Sequence, residues 1–210
     1  MRLVAGLLDL LFVPACAVCD AVLGESLFFC AACAVSVDPA PATAGEVTAP
    51  YLFGGELATA LRRLKFEGRR EVARSIAPLL GPALAEAAAG SDLLVPVPLH
   101  RKRLRQRGYN QAALLLRHAR RYAGLPVDPL SLRRVRPTAP QTGLDRAARQ
   151  KNVDGAFAVA RPHRVAGRSI LLVDDVVTTG ATLAAASAAL RAAGASRVAA
   201  FCVARADRIG

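Results

Sequence analysis

The chain has no tryptophan, and aromatic residues make up only 5% of its 210 positions. Few side chains are therefore available to stack on nucleobases; Tyr51, Phe53, Phe66 and Tyr109 are the candidates. Lysine is almost absent, limited to Lys65, Lys102 and Lys151, so arginine carries nearly all of the formal net charge of +12. There is no glycine-rich Rossmann turn and no Walker loop, which argues against dinucleotide and ordinary P-loop nucleotide binding. No apolar run is long enough to span a bilayer. Internal repeats and long low-complexity tracts are missing as well. What remains, 53% hydrophobic residues in 210 positions, suffices for one ordinary domain with a small appendage. The basic charge suits polyanions such as nucleic acid, phosphorylated ligands or an anionic membrane surface, although an Arg- and Ala-rich composition alone also produces it.

The most informative segment runs from Ser169 to Ala193. Ser169 to Val173 is short, apolar and branched, the pattern of a strand buried on both faces. Two adjacent acids follow, Asp174 and Asp175, and then a turn of small and hydroxyl residues: Thr178, Thr179, Gly180, Ala181 and Thr182. Thr182 to Ala193 is rich in helix formers, and Gly194 sits where a glycine would end that helix. The turn therefore falls at the carboxyl end of a strand and the amino end of a helix, where backbone N–H groups cradle a phosphate dianion. Ionised carboxylates only accept hydrogen bonds, so Asp174 and Asp175 suit a pair of ribose hydroxyls or a Mg²⁺ ion. Facing a dianion they would repel it, so a cation or donor groups must intervene. The ligand expected is a phosphorylated ribose. The segment resembles the phosphoribosyl pyrophosphate (PRPP) motif of type I phosphoribosyltransferases.

Cys16, Cys19, Cys30 and Cys33 form two C-x2-C knuckles ten residues apart. Such pairs let four thiolates converge on one Zn²⁺, with a full coordination shell and no position left for catalytic water. Two disulfides or an iron–sulfur cluster are the alternatives, and disulfides need an oxidising compartment. Zn²⁺ is the reading preferred, as the fastener of a finger too small to bury its own core. Cys202 lies in an apolar run and is expected as a buried strand residue. Leu3 to Val13 imitates a signal peptide, but Asp9 interrupts it and Arg2 is its lone basic residue, so a short helix packed on the main domain is expected.

Residues 38–50 contain Pro39, Pro41 and Pro50 among Ala and Thr, a linker composition. Glu56 to Phe66 has helical spacing, with Leu57, Leu61 and Leu64 on one face and Arg62, Arg63 and Lys65 off it. Glu71 to Ala89 reads as a second helix, bent or divided by Pro78 and Pro82. A further strand begins near Asp92 and ends near Val95, before Pro96. The loop expected after it carries Val97, Pro98, Arg101, Lys102, Arg103, Arg105 and Arg107, an anion site positioned to face the Asp174–Thr182 turn. Asn110 is placed to cap a helix over 111–122. Arg134 to Lys151 lacks apolar periodicity and is expected as a long loop, a candidate lid. Val153 to Val159 alternates as a strand, and Arg197 to Val203 gives the last one. Strands alternating with helices predict an α/β fold with a mostly parallel sheet flanked by helices.

The paired C-x2-C finger, Val95-Pro96-Val97-Pro98-Leu99, Arg107-Gly108-Tyr109-Asn110-Gln111, Gln141, Arg146, Asn152-Val153, Gly155-Ala156-Phe157 and the PRPP motif together resemble the competence protein F (ComF) family, which includes GntX-like proteins. The resemblance spans nearly the full chain. It implies a type I phosphoribosyltransferase fold over 51–210, behind a helix and four-cysteine zinc finger over 1–37 and a linker over 38–50. It also implies a cytoplasmic role in DNA uptake during natural transformation, on incoming single strands and beside other DNA-uptake proteins. Two functions follow as expectations. One is a phosphoribosyltransferase that binds PRPP with Mg²⁺ and uses Asp174 and Asp175 catalytically. The other is a single-stranded-DNA-binding module that keeps the cradle for PRPP or ribose 5-phosphate without turnover.

Overall fold

A computed structural model describes residues 15–24, 28–41, 45, 47–138 and 152–206. In chain order the elements are helix α1 (Ala31–Ala34), strands β1 (Val47–Thr48) and β2 (Tyr51–Leu52), helices α2 (Gly55–Phe66) and α3 (Glu71–Ala87), strand β3 (Leu93–Pro96), helices α4 (Arg101–Arg107) and α5 (Gln111–Ala123), strands β4 (Leu132–Arg134), β5 (Phe157–Val159) and β6 (Ser169–Val177), helix α6 (Ala181–Ala192) and strand β7 (Arg197–Arg205). The helix expected over 3–13 and most of the candidate lid, 139–151, lie outside the described residues.

The apolar runs become strands because both faces of the sheet are covered. β3, β6 and β7 pair in parallel, in the order β3–β6–β7, and β1 and β2 line up along the far edge of β7. Leu94, Leu171, Val173, Phe201 and Val203 point to one face, against Leu61, Leu64, Ile76, Leu80, Leu115 and Leu116 of α2, α3 and α5. Leu93, Val95, Ile170, Leu172, Ala200 and Cys202 point to the other, against Leu183, Ala186 and Leu190 of α6. Two buried faces leave no polar alternation, hence the unbroken apolar runs. Cys202 is a fully buried strand residue, as expected.

Several boundaries differ from the sequence reading, each for a tertiary reason. β6 runs four residues past Val173, because Asp174, Val176 and Val177 still find ladder partners on β7. α3 is one helix with Pro78 and Pro82 inside it. Its stripe of Val72, Ala73, Ile76, Ala77, Leu80 and Leu84 is buried, and that packing outweighs the local cost of proline. The Arg-rich loop is largely helix α4, capped by His100 at its start and by left-handed Gly108 (φ 79°) at its end. It buries no residue, so no apolar stripe announces it. Within the proline-rich 38–50 stretch, Val47 and Thr48 pair with Ala200 and Phe201 of β7, so part of the expected linker belongs to the sheet. The strand expected over 153–159 is confined to Phe157–Val159, which pairs antiparallel with β4.

The cysteine-bearing segment is docked on the helical face through one buried arginine. Arg63, 7% exposed on α2, donates to the carbonyls of Ala17 (3.1 Å) and Val18 and reaches Asp20 Oδ2 at 2.6 Å. Arg69 donates to both Asp20 oxygens, at 2.5 and 3.1 Å. Ser75 donates to the Ala15 carbonyl, and Ser36 accepts from the Glu56 N–H. Hydrogen bonds from Arg63, then from Arg69, hold the Asp20 carboxyl below the usual carboxylate range. An acid with a lowered pKa gives its stabilisation above the ordinary carboxylate value and loses it as pH falls through the lowered one. Arg63→Met should therefore cost about 2 kcal/mol at neutral pH, the order for charged hydrogen bonds left unmade. The wild type–variant difference in denaturant midpoint should be largest at neutral pH and narrow in acid.

Candidate functional site

The site begins with chain reversal at a sheet centre. From β3 the chain proceeds through α4 and α5 to Val127, which bridges Leu94 on the side away from β6; from β6 it proceeds through α6 to β7 on the other side. The carboxyl ends of β3 and β6 therefore open into a crevice at a topological switch point, where open α/β sheets bind ligands. The crevice holds about 980 Å³. Val97, Pro98, Arg103 and Arg107 line it from the β3 side, and Asp174, Asp175, Thr178 and Thr182 from the β6 side. Of the other residues singled out in the sequence, Thr179, Gly180 and Ala181 form the turn itself, and Arg101 is exposed and does not line the crevice.

The turn is locally determined. Gly180 adopts a left-handed conformation (φ 78°) at the N-cap of α6, and the Ala181 N–H donates to Thr179 Oγ1 at 3.4 Å. The N-terminus of the 12-residue α6 thus faces the crevice mouth with its positive dipole end. The acids fold their own backbone: the Asp175 N–H donates to Asp174 Oδ1 (2.9 Å) and the Val176 N–H to Asp175 Oδ1 (2.8 Å). Burial, and then the neighbouring Asp175 charge, push the Asp174 carboxyl well above the usual carboxylate range. Asp175 is 3% exposed, and its Oδ2 is sealed from solvent without a hydrogen bond. Lys65 Nζ lies 2.8 Å from that oxygen, an ion pair whose angle does not make a hydrogen bond. Two adjacent carboxyls, one with an ion-paired oxygen that makes no hydrogen bond, fit ribose hydroxyls or a hard divalent cation such as Mg²⁺.

The opposite wall is tied down by Asn110. Its side-chain oxygen accepts from the Ala112 and Ala113 N–H groups, while Nδ2 donates to the Val97 carbonyl at 2.9 Å. One residue therefore caps α5 and fixes the loop after β3. Arg107 donates to Gln111 Oε1 (2.7 Å) and lies 5.4 Å from the Phe66 ring centre. Burial lowers the Arg107 pKa, and the Asp175 charge opposes the shift.

Lys65 and Arg134 both line the crevice, and sequence reading marked neither as a site residue. Lys65 sits off the apolar face of α2 and belongs to no motif; its one signal is that it is one of only three lysines in an arginine-rich chain. Arg134 enters from β4, with its guanidinium 5.3 Å from the Phe157 ring centre and its Nε buried without a partner.

The second site is the cysteine cluster. The four Sγ atoms lie within 4.8 Å of one another, and all four cysteines are free thiols. Tetrahedral Zn–S bonds of about 2.3 Å demand sulfur separations near this range. Burial raises the Cys16 pKa, but the backbone N–H groups of Cys19, Cys30 and Val18 outweigh it and bring the thiol down to about 6. Burial and its thiol neighbours push Cys33 up. One sulfur poised as thiolate among four converging thiols is a donor set that can hold a zinc ion.

A family model for the phosphoribosyl transferase domain matches residues 110–209. Competence protein F of Haemophilus influenzae is 35% identical over 156 residues, covering 71% of this chain and 68% of that protein. DNA utilization protein YhgH of Salmonella typhi is 36% identical over 154 residues, covering 71% and 67%. This chain belongs to the competence protein F family. Within the family, competence protein ComFC of Bacillus subtilis is 27% identical over 138 residues, covering 63% of this chain and 52% of that one. Among solved structures, a glutamine PRPP amidotransferase from B. subtilis complexed with ADP and GMP matches with a TM-score of 0.43 and 21% identity, over 68% of this chain and 30% of that chain. The α/β architecture and the N-terminal four-cysteine cluster expected from the resemblance are both present.

Because Asn110 serves both the helix and the crevice, Asn110→Ala should lower stability by about 1 kcal/mol, the usual cost of losing such a cap. It should also raise amide exchange at the N–H groups it caps, Ala112 and Ala113, which hydrogen-exchange mass spectrometry reads directly.

Proposed function

We propose that this protein binds PRPP or ribose 5-phosphate in the β3–β6 crevice and acts in DNA uptake for natural transformation, in the cytoplasm. The observation that carries the reading is the meeting of an acidic pair, a helix-terminal turn and an arginine-bearing wall in one crevice. Thr178, Thr179, Gly180, Ala181 and Thr182 would surround the 5-phosphate. Asp174 and Asp175 would take the ribose hydroxyls. Val97, Pro98, Arg103 and Arg107 would flank the pyrophosphate, with Arg101 outside the crevice on the approach. Mg²⁺, when bound, supplies charge neutralisation at the pyrophosphate. The DNA-uptake role rests on the names of the relatives, competence protein F and DNA utilization protein YhgH. Among the described residues no helix is long and apolar enough to cross a membrane.

In a transferase, the bond from the sugar C1 to pyrophosphate breaks as the acceptor bond forms. Positive charge grows on the sugar ring between those events. The Asp174–Asp175 pair would stabilise it, and the two arginines would hold the departing pyrophosphate. Zn²⁺ on Cys16, Cys19, Cys30 and Cys33 would be structural, since four thiolates fill its shell.

A second reading, binding of single-stranded DNA without turnover, is favoured by one observation. Phe66 is 74% exposed at the crevice wall, beside Arg107 and the exposed basic helix α4. An aromatic ring flanked by arginines is a stacking platform for a base.

Ribose 5-phosphate or PRPP with Mg²⁺ should raise the melting temperature of the wild type, and Asp175→Ala should abolish the rise; a retained rise in the variant defeats the site assignment. Affinity for single-stranded DNA should fall steeply with salt, and Arg103→Ala should weaken it and reduce the log–log salt slope by about one. Elemental analysis of reduced protein should find one Zn per chain, lost in Cys30→Ser.

A further inference from the structure

We infer that Lys65 is the resident counter-ion of the acidic pair: it neutralises Asp175 in the arrangement described and exchanges places with a divalent cation brought in by a sugar phosphate. The inference rests on the ribose-phosphate reading of the crevice and adds the residue that couples metal to sugar.

The geometry singles out one oxygen. Asp175 Oδ1 accepts from the Val176 N–H, whereas Oδ2 accepts no hydrogen bond and keeps both lone pairs to offer. That oxygen is sealed from solvent, makes no hydrogen bond, and lies 2.8 Å from Lys65 Nζ. The two side chains are 5% and 21% exposed. Removing one partner of such a pair strands a buried charge, so Lys65 can leave only when another cation arrives. An ammonium on a flexible stem is suited to that exchange, whereas a guanidinium fork would grip the carboxylate with two bonds.

The backbone beneath Lys65 is held on both sides. Arg63 is pinned to Ala17, Val18 and Asp20, and the Leu64 carbonyl accepts from the Tyr109 hydroxyl. Loading therefore moves the side chain and leaves the helix in place. Lys65 itself lines the crevice, so its displaced ammonium stays within it and can turn to a phosphate oxygen. A divalent cation arriving alone must displace the ammonium with no anion to receive it. A cation arriving with a sugar phosphate supplies that anion. Lys65 is thus a positioning residue that makes the site select the metal–sugar phosphate pair over the free metal.

Mn²⁺, followed by electron paramagnetic resonance on the zinc-loaded full chain, is the probe, with and without PRPP. Wild type should bind Mn²⁺ weakly alone and more tightly with PRPP. Lys65→Met should tighten binding of Mn²⁺ alone about tenfold, the direction set by removing a nearby positive charge, and shrink the gain from PRPP. Lys65→Gln removes the charge but keeps a donor for Oδ2, so it tests the same point if the Met variant fails to fold. Lys65→Arg should keep the weak wild-type binding of Mn²⁺ alone. Unchanged or weaker Mn²⁺ binding in the neutral variants overturns the inference. A wild type that neither melts higher nor binds Mn²⁺ more tightly with PRPP instead brings down the ribose-phosphate reading itself.

Discussion

The parallel pairing of β3 with β6 is the constraint on which the site depends. Leu93 to Pro96 register against Ile170 to Val173, so β3 ends beside Val173, the residue that precedes the acidic pair. The chain leaves the two strands in opposite directions, and a crevice is the unavoidable result. Neither wall would be a site alone. The turn after β6 offers N–H groups and carboxylates, and the segment after β3 offers arginines. The proposed ligand, a sugar carrying phosphates at both ends, needs both kinds of group, a fixed distance apart. The ladder between Val95 and Leu172, buried on both strands, fixes that distance.

Helix α2 ties the remaining parts to that crevice. Three consecutive residues on it face three different tasks. Arg63 holds the cysteine segment, Leu64 fills the core and lends its carbonyl to Tyr109, and Lys65 reaches Asp175. Helical geometry spreads successive side chains by about 100°, so adjacent residues serve separate partners. A single helical turn therefore touches both the cysteine-bearing segment and the acidic pair. A metal bound there would fix the loop carbonyls that Arg63 grips, and so the orientation of the helix that carries Lys65.

The α/β class, the buried strands, the α5 cap and the cysteine ligand set were legible because each leaves a local signature. Asn110 caps through its own neighbours, and C-x2-C knuckles bring their sulfurs together over a few residues. The acids and the Thr-Thr-Gly-Ala-Thr turn were legible for the same reason. Helix α4 was not, because a short polar helix held by its two end caps has no apolar stripe. The continuity of α3 was not, because its prolines are overruled by burial against α5 and the sheet. Lys65 was not, because its importance comes from a carboxylate far along the chain, on Asp175.

The sequence by itself determined the chemistry available: a turn of small and hydroxyl residues, two adjacent acids, four thiols at metal-binding spacing and an arginine-rich stretch between β3 and α5. These are properties of neighbouring residues, and local physics reads them. Tertiary structure decided which groups meet. It set the arginines across from the acids, brought Arg134 in from the two-stranded β4–β5 sheet, and placed one of three lysines against the one Asp175 oxygen that lacks a hydrogen bond. Those meetings depend on strand order and helix docking, which arise from burying two faces of one sheet at once. No window of the sequence contains that condition.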